Sequence, residues 1–222
     1  MEDLHSWKVS LEEAIRIQEA LRLHLILRPT FSRISTIGGA DVGYSKAGYL
    51  LGAIAVFSFP QMEMIGLATA HGRISFPYVP GLLGFREGPI LIKAFDKLEV
   101  CPDVMIYDGQ GICHPRGFGL ASHLGLWLDL PSVGCAKTFL TGEHSLPGSR
   151  RGSLCPIRIK GKEVGAVLRT RDHVNPLFVS PGHRIDLKTS IELILATCQR
   201  FRLPEPLRRE HHATLRLSTK NA

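Results

Sequence analysis

Between residues 34 and 70 the chain runs through three apolar segments, Ile34–Tyr44, Tyr49–Phe59 and Met64–Ala70, whose short links carry Ser45, Gly48, Pro60 and Gln61. Links this short can only fold a strand back on its neighbour, so the three segments predict an antiparallel meander. A different pattern follows. Gly88 and Pro89 predict a helix opening there and running through Leu98, because proline at a first helical position gives up only an N–H that has no partner. VMIY, Val104–Tyr107, then reads as a short buried strand. A crossover helix after a meander returns the next strand parallel to one already in the sheet. A helix from about Gly119 to Leu128, a strand over Val133–Ala136, a Gly, Ser and Arg loop, a hairpin turning at Gly161 and a last helix over Thr189–Arg202 complete the pattern. Ahead of the meander, Ser10 and Glu13 make a capping box for an amphipathic helix carrying Leu11, Ala14, Ile15, Gln18, Leu21 and Leu25, stopped before Pro29. That helix reads as scaffold. The expectation is an α/β fold with a mixed sheet flanked by helices.

Of the 222 residues 44% are hydrophobic and 21% charged, which suits one domain with a sizeable core and excludes a chiefly disordered chain. The longest apolar stretch, Tyr49–Phe59, is interrupted by Gly52 and Ser58 and falls short of the roughly 20 residues that span a bilayer. No membrane association is expected. The opening MEDLHSWKVS has acidic residues where a secretory signal has basic ones, which predicts a cytoplasmic protein. Cys101, Cys113, Cys135, Cys155 and Cys198 are scattered, form no CxxC pair, and read as reduced thiols. The net charge of +7 suggests a polyanionic partner such as nucleic acid, with ordinary solubility charge as the alternative. Arg150, Arg151, Arg158, Lys160, Lys162, Arg169 and Arg171, and again Arg200, Arg202, Arg208, Arg209 and Arg216, predict a local basic face.

Asp41 lies within the apolar segment IGGADVGY, where a carboxylate is costly unless it is hydrogen-bonded, paired or bound to a metal. Asp108 closes the strand VMIY and begins DGQG, a sequence that also suits a plain Asp-Gly turn. If the two strands are neighbours, the carboxylates sit roughly 5 Å apart on one face, near enough to share a cation. Magnesium takes one or two carboxylates and completes its shell with water and phosphate oxygens, so two strand carboxylates in a basic protein suggest phosphodiester chemistry. Glu87 in FREGP stands at the expected helix start, where it would also complement the helix dipole. His114 in GICHPRGFG and His183 in VSPGHRIDL are flanked by glycine and proline and are expected on turns. Lys137 in VGCAKT could lend charge to a phosphate or only to the surface. Two prolines bracket Tyr78 and Val79 in PYVPGLLGFREGP and predict a stiff loop, either presenting a wedge for base steps or packing Tyr78 inward as a core turn.

Taken together, IGGADVGY, FPYVPGLLGFREGP, DGQGICHPRGFGLASHLG, VGCAKT and VSPGHRIDL, in this order and spacing, resemble the endonuclease V family of deaminated-base repair nucleases. The resemblance covers the chain from Trp7 to about Thr197. It implies a single ribonuclease H-like catalytic domain over residues 1–203, with 204–222 as a basic C-terminal tail, and a monomer. The implied activity is magnesium-dependent hydrolysis, with manganese as substitute, of the second phosphodiester bond 3′ to deoxyinosine in DNA, leaving 3′-hydroxyl and 5′-phosphate ends. By motif match Asp41 and Asp108 would hold the metal, with Glu87 completing the acidic set. His114, Lys137 and His183 would align the scissile phosphate and attacking water or assist the leaving oxygen. Tyr78 would fill the gap left by a flipped base, and Val79, Pro80, Gly81, Leu83, Gly109 and Gly119 would line the base pocket.

This chain departs from the family at Gln110, where histidine is frequent, and at Thr138, where a second basic residue is frequent. Gln110 cannot titrate near neutrality as histidine does. The same chemistry directed at inosine in RNA is the nearest rival reading, since contacts to a 2′-hydroxyl cannot be read from one chain. A nucleic-acid-binding module without catalysis is the rival from another class. It has no use for clustered carboxylates that repel phosphate.

Overall fold

The computed structural model describes residues 4–208. The three apolar segments form the meander: β1 (Thr36–Tyr44), β2 (Tyr49–Ser58) and β3 (Met64–Arg73) pair antiparallel in turn. After α2 (Leu83–Phe95), β4 (Val104–Tyr107) returns parallel to β1, in the register Ile37↔Val104 to Ala40↔Tyr107. Following α3 (Leu120–Leu128), β5 (Ser132–Ala136) adds parallel to β4. β6 (Leu154–Ile159), β7 (Lys162–Leu168) and β8 (Leu177–His183) extend the sheet antiparallel, and α4 (Leu187–Thr197) closes the fold. The sheet order is β3-β2-β1-β4-β5-β8-β7-β6, so the expected mixed sheet flanked by helices is present, with β1 and β4 in its interior.

Alternation along the strands divides the core between the two faces. Ala40, Met105 and Tyr107 pack against Ile90 and Leu91 of α2 and Leu120 and Leu124 of α3. Ile37, Val104, Ile106 and Val133 pack against Leu193 and Ile194 of α4. Burying each such side chain contributes about 1.5–3 kcal/mol before entropy is counted. At the N-terminus, Ser10 and Glu13 form the expected capping box on α1 (Leu11–Leu21). The α-helix ends at Leu21 and Leu25 lies beyond it in extended backbone.

Four expectations are corrected. α2 begins at Leu83, so Pro89 lies inside the helix and Glu87 is not at its start. Seven of the thirteen helical residues are buried, and that apolar face outweighs the one backbone hydrogen bond Pro89 cannot make. The segment LFVSPGH is a strand, not a turn, with Pro181 opposite Val133 beside an irregularity in the ladder, where its missing N–H costs least. The last helix spans Leu187–Thr197, with Asp186 as its cap accepting from the Thr189 amide at 2.7 Å. The packed chain also runs past residue 203: Pro204 to Leu207 are buried, Leu207 joins the α4-side core, and Pro206 lies so close to Gly39 that a Cβ there would sit 2.6 Å from it. Residues 209–222 lie outside the described residues. Among those described, no helix is long and apolar enough to cross a membrane, and the five cysteines are free.

Candidate active site

Because β1 and β4 run parallel and their ladder ends at Ala40↔Tyr107, the next residues on each strand, Asp41 and Asp108, emerge side by side at one rim of the sheet. α2 brings Glu87 to the same place, and β5, one strand further along, ends where Lys137 begins. Lys137 Nζ donates to Asp108 Oδ2 at 2.5 Å. The Tyr44 hydroxyl, at the end of β1, donates to Glu87 Oε1. These groups line a cleft of about 420 Å³ together with Tyr78, Val79, Pro80, Gly81, Leu83, Gly109, Gly119 and His114. Tyr78 is 71% exposed, which removes the core-turn alternative, while Val79 packs against the cluster of Phe76, Leu82 and Phe85.

Electrostatics in the cleft follow from burial. Glu87 is only 7% exposed, and burial raises its carboxyl to about 8; the Tyr44 hydrogen bond opposes this and the charges of Asp41 and Asp108 reinforce it. Tyr44 is raised in turn by burial and by Glu87. Burial works against the Lys137 ammonium, but its bond to Asp108, with the charges of Asp108 and Asp41, raises its pKa and keeps it charged. The donor set is all oxygen, which suits a hard divalent cation. Among the described residues no three His, Cys, Asp or Glu are drawn together into a group that could hold a metal ion by themselves. A cation of the magnesium kind takes one or two carboxylates and keeps several waters, so it does not require such a group. The residues present therefore fit such an ion.

His114 lies in the cleft with its ring engaged: Nε2 donates to the Gly81 carbonyl at 2.9 Å, and Nδ1 faces the amides of Arg116 at 3.2 Å and Phe118 at 3.5 Å. Burial and the neighbouring Arg116 push it down to about 4, so it is neutral at pH 7. His183 is not brought to the cleft. It closes β8 opposite Ser132, at the far end of β5 from Lys137, and its buried ring contacts Asp129 at 3.4 Å and receives the Ile26 amide at 3.3 Å. Its place in the site was implied only by the resemblance of VSPGHRIDL to the family, and the turn expected around it is a strand end. Gln110 sits in the cleft wall, donating to the Thr138 carbonyl at 3.2 Å, and so joins the loop after β4 to the loop carrying Lys137. Sequence reasoning passed over Tyr44, which ends the motif IGGADVGY, and gave Gln18 no role in the site, although it stands where an apolar residue is expected on α1.

A mixed sheet of this order, with carboxylates emerging from two parallel central strands into a cleft, makes the molecule a ribonuclease H-like nuclease. Comparison with known proteins narrows the class: residues 19–212 match the family model described as Endonuclease V, and the chain belongs to the endonuclease V family. Endonuclease V of Dictyoglomus turgidum is 44% identical over 209 residues, covering 94% of this chain and 91% of that protein. The crystal structure of endonuclease V from Streptomyces avermitilis matches with a TM-score of 0.91 at 40% identity, over 98% of this chain and 97% of that one. Ciona intestinalis endonuclease V, in complex with a 24mer DNA containing an inosine followed by a ribo-adenosine, matches with a TM-score of 0.83 at 25% identity, over 96% and 99% of the two chains.

Proposed function

We propose that this endonuclease recognises inosine in nucleic acid and hydrolyses the second phosphodiester bond on its 3′ side, with a divalent cation, magnesium or manganese, as cofactor. The observation that carries the reading is the meeting of Asp41, Asp108 and Glu87 in a cleft rimmed by the exposed Tyr78. Asp41 and Asp108 would hold the cation, with Glu87 directly or through water. Such an ion polarises a phosphoryl oxygen and makes bound water a better nucleophile near neutral pH. Lys137, now on Asp108, is placed to transfer its contact to a phosphate oxygen when substrate enters. Tyr78 would occupy the stack vacated by the flipped base, with Val79, Pro80, Gly81, Leu83, Gly109 and Gly119 enclosing that base. His114 stays neutral at physiological pH and holds backbone, so no proton transfer is assigned to it.

The Ciona complex, whose DNA places a ribonucleotide directly after the inosine, favours a second reading in which the 3′ neighbour is ribose and the substrate is RNA. One assay separates the two. In magnesium, an inosine-containing DNA duplex, the same strand with one ribonucleotide after inosine, and the all-RNA strand are compared for cleavage. The DNA reading expects the duplex to be nicked at the second 3′ phosphodiester, the RNA reading expects cleavage only where ribose is present, and no cleavage of any of the three would overturn both.

A further inference from the structure

α1 reaches the cleft through one side chain. Gln18 is 1% exposed, and its Nε2 donates to the carbonyls of Gly81 and Phe118, both at 3.0 Å. Its Oε1 accepts from Arg116 Nε at 2.6 Å. Arg116 Nη2 donates to the same Gly81 carbonyl at 2.7 Å, and His114 Nε2 makes the third approach at 2.9 Å. Because the acceptor is a carbonyl and Nδ1 faces two amides, the His114 proton belongs on Nε2. Three donors from two distant parts of the chain thus converge on one backbone oxygen, where a carbonyl has two lone pairs.

The held residue is suited to being held. Gly81 has φ +81°, a conformation that favours glycine, and a Cβ on it would lie 2.8 Å from Arg116 Nη2 and 3.2 Å from His114 Nε2. The Leu82 amide closes the turn onto the Val79 carbonyl at 2.9 Å. Tyr78, the residue just before that turn, lines the cleft and is largely exposed. A side chain that opens a base stack works against unstacking, so its backbone must not yield.

We propose that Gln18, Arg116 and His114 form a clamp on the Gly81 carbonyl that holds the Tyr78–Gly81 loop rigid for lesion engagement. This role rests on the inosine reading above. All three act through the loop and are positioning residues; Arg116 and Gln18 gain a function that the motif readings did not give them. The clamp also accounts for the neutral His114 as a backbone tie.

The test uses the full chain with Gln18→Ala, and with Arg116→Met as a second variant that keeps aliphatic bulk at a half-buried site should the first fail to fold. Hydrogen exchange of the Val79, Gly81 and Leu82 amides is measured without nucleic acid, and binding and single-turnover cleavage are measured on a duplex with one inosine. The clamp expects faster exchange confined to that loop and binding weaker by about tenfold, the effect of losing one or two hydrogen bonds of ordinary net strength. The single-turnover rate at saturating enzyme should fall much less, by about threefold at most on the same scale. Unchanged loop exchange in a folded variant, or a collapse of the saturated rate with affinity intact, would overturn the clamp. If wild-type enzyme fails to distinguish the inosine duplex from its undamaged match, the functional reading fails, and the exchange measurement still decides whether the clamp exists.

Discussion

At the scale of single residues, the carboxylates were legible because a charge on a core strand is hard to justify without a partner, and the backbone register then placed Asp41 beside Asp108. Replacing either with alanine should abolish magnesium-dependent nicking while leaving nucleic-acid binding intact or stronger, since on the proposed function a cation ligand and a source of phosphate repulsion are lost together. Activity within a few-fold of wild type would remove the two-carboxylate site. Glu87 allows a separate prediction that needs no substrate. Its folded pKa of about 8 stands above the ordinary 4.5, so the neutral form stabilises the fold fully below pH 4.5, and that contribution is lost as pH rises toward 8. Metal-free protein should therefore melt lower at pH 8 than at pH 5, by about 2–4 °C for each kcal/mol lost at this chain length. Glu87→Gln should flatten that slope, as thermal melts in EDTA would show. Gln18 was the least legible residue of the site: a glutamine on the apolar stripe of a helix looks like a neutral substitution until the carbonyls it serves come into view, and those belong to residues far along the chain.

The elements divide by how they announce themselves. β1, β2 and β3 were readable as continuous apolar runs, and α1 by its capping box. α2 and β8 were not, for one reason: proline next to glycine reads as punctuation, yet Gly88-Pro89 lies within a helix whose buried face carries it, and Pro181-Gly182 lies within a strand beside a ladder irregularity. The true opening of α2 is the Gly81 turn, and the prolines before it brace Tyr78. Tyr78→Ala should weaken binding to an inosine duplex and slow cleavage at low enzyme concentration. Saturating enzyme should restore most of the rate, and the defect should shrink on single-stranded substrate, where little stacking must be broken. A lowered melting temperature with affinity unchanged would instead mark Tyr78 as packing. The end of the domain was misplaced because Pro204 to Leu207 lack periodicity. Ending the chain after Leu203 removes Leu207 from the α4-side core and uncovers Gly39, so it should cost about 2–4 kcal/mol, measurable by urea unfolding.

Over the whole molecule, the basic stretches of the sequence do not translate directly into a basic face. Arg169 donates to the carbonyls of Gly148, Pro147 and Val174, Arg151 to those of Thr170 and Leu195, and Arg202 to those of Asn175 and Pro176. These guanidinium groups hold loops together, a use that charge counting cannot foresee. Arg169→Ala should accordingly lower the melting temperature by several degrees, about what two or three lost hydrogen bonds would cause. It should leave the salt dependence of duplex binding as it was; a shallower dependence would instead place Arg169 on a phosphate. The central pairing of β1 with β4 has a further consequence, in time. Residues 37–40 pair with residues 104–107 across the rest of the meander, α2 and their connections, and such distant parallel pairing is slow to form. Asp41 and Asp108 are therefore strangers in a partly folded chain, however complete its meander. A copy in which that pairing is open lacks the two-carboxylate site, however well the rest of it is folded.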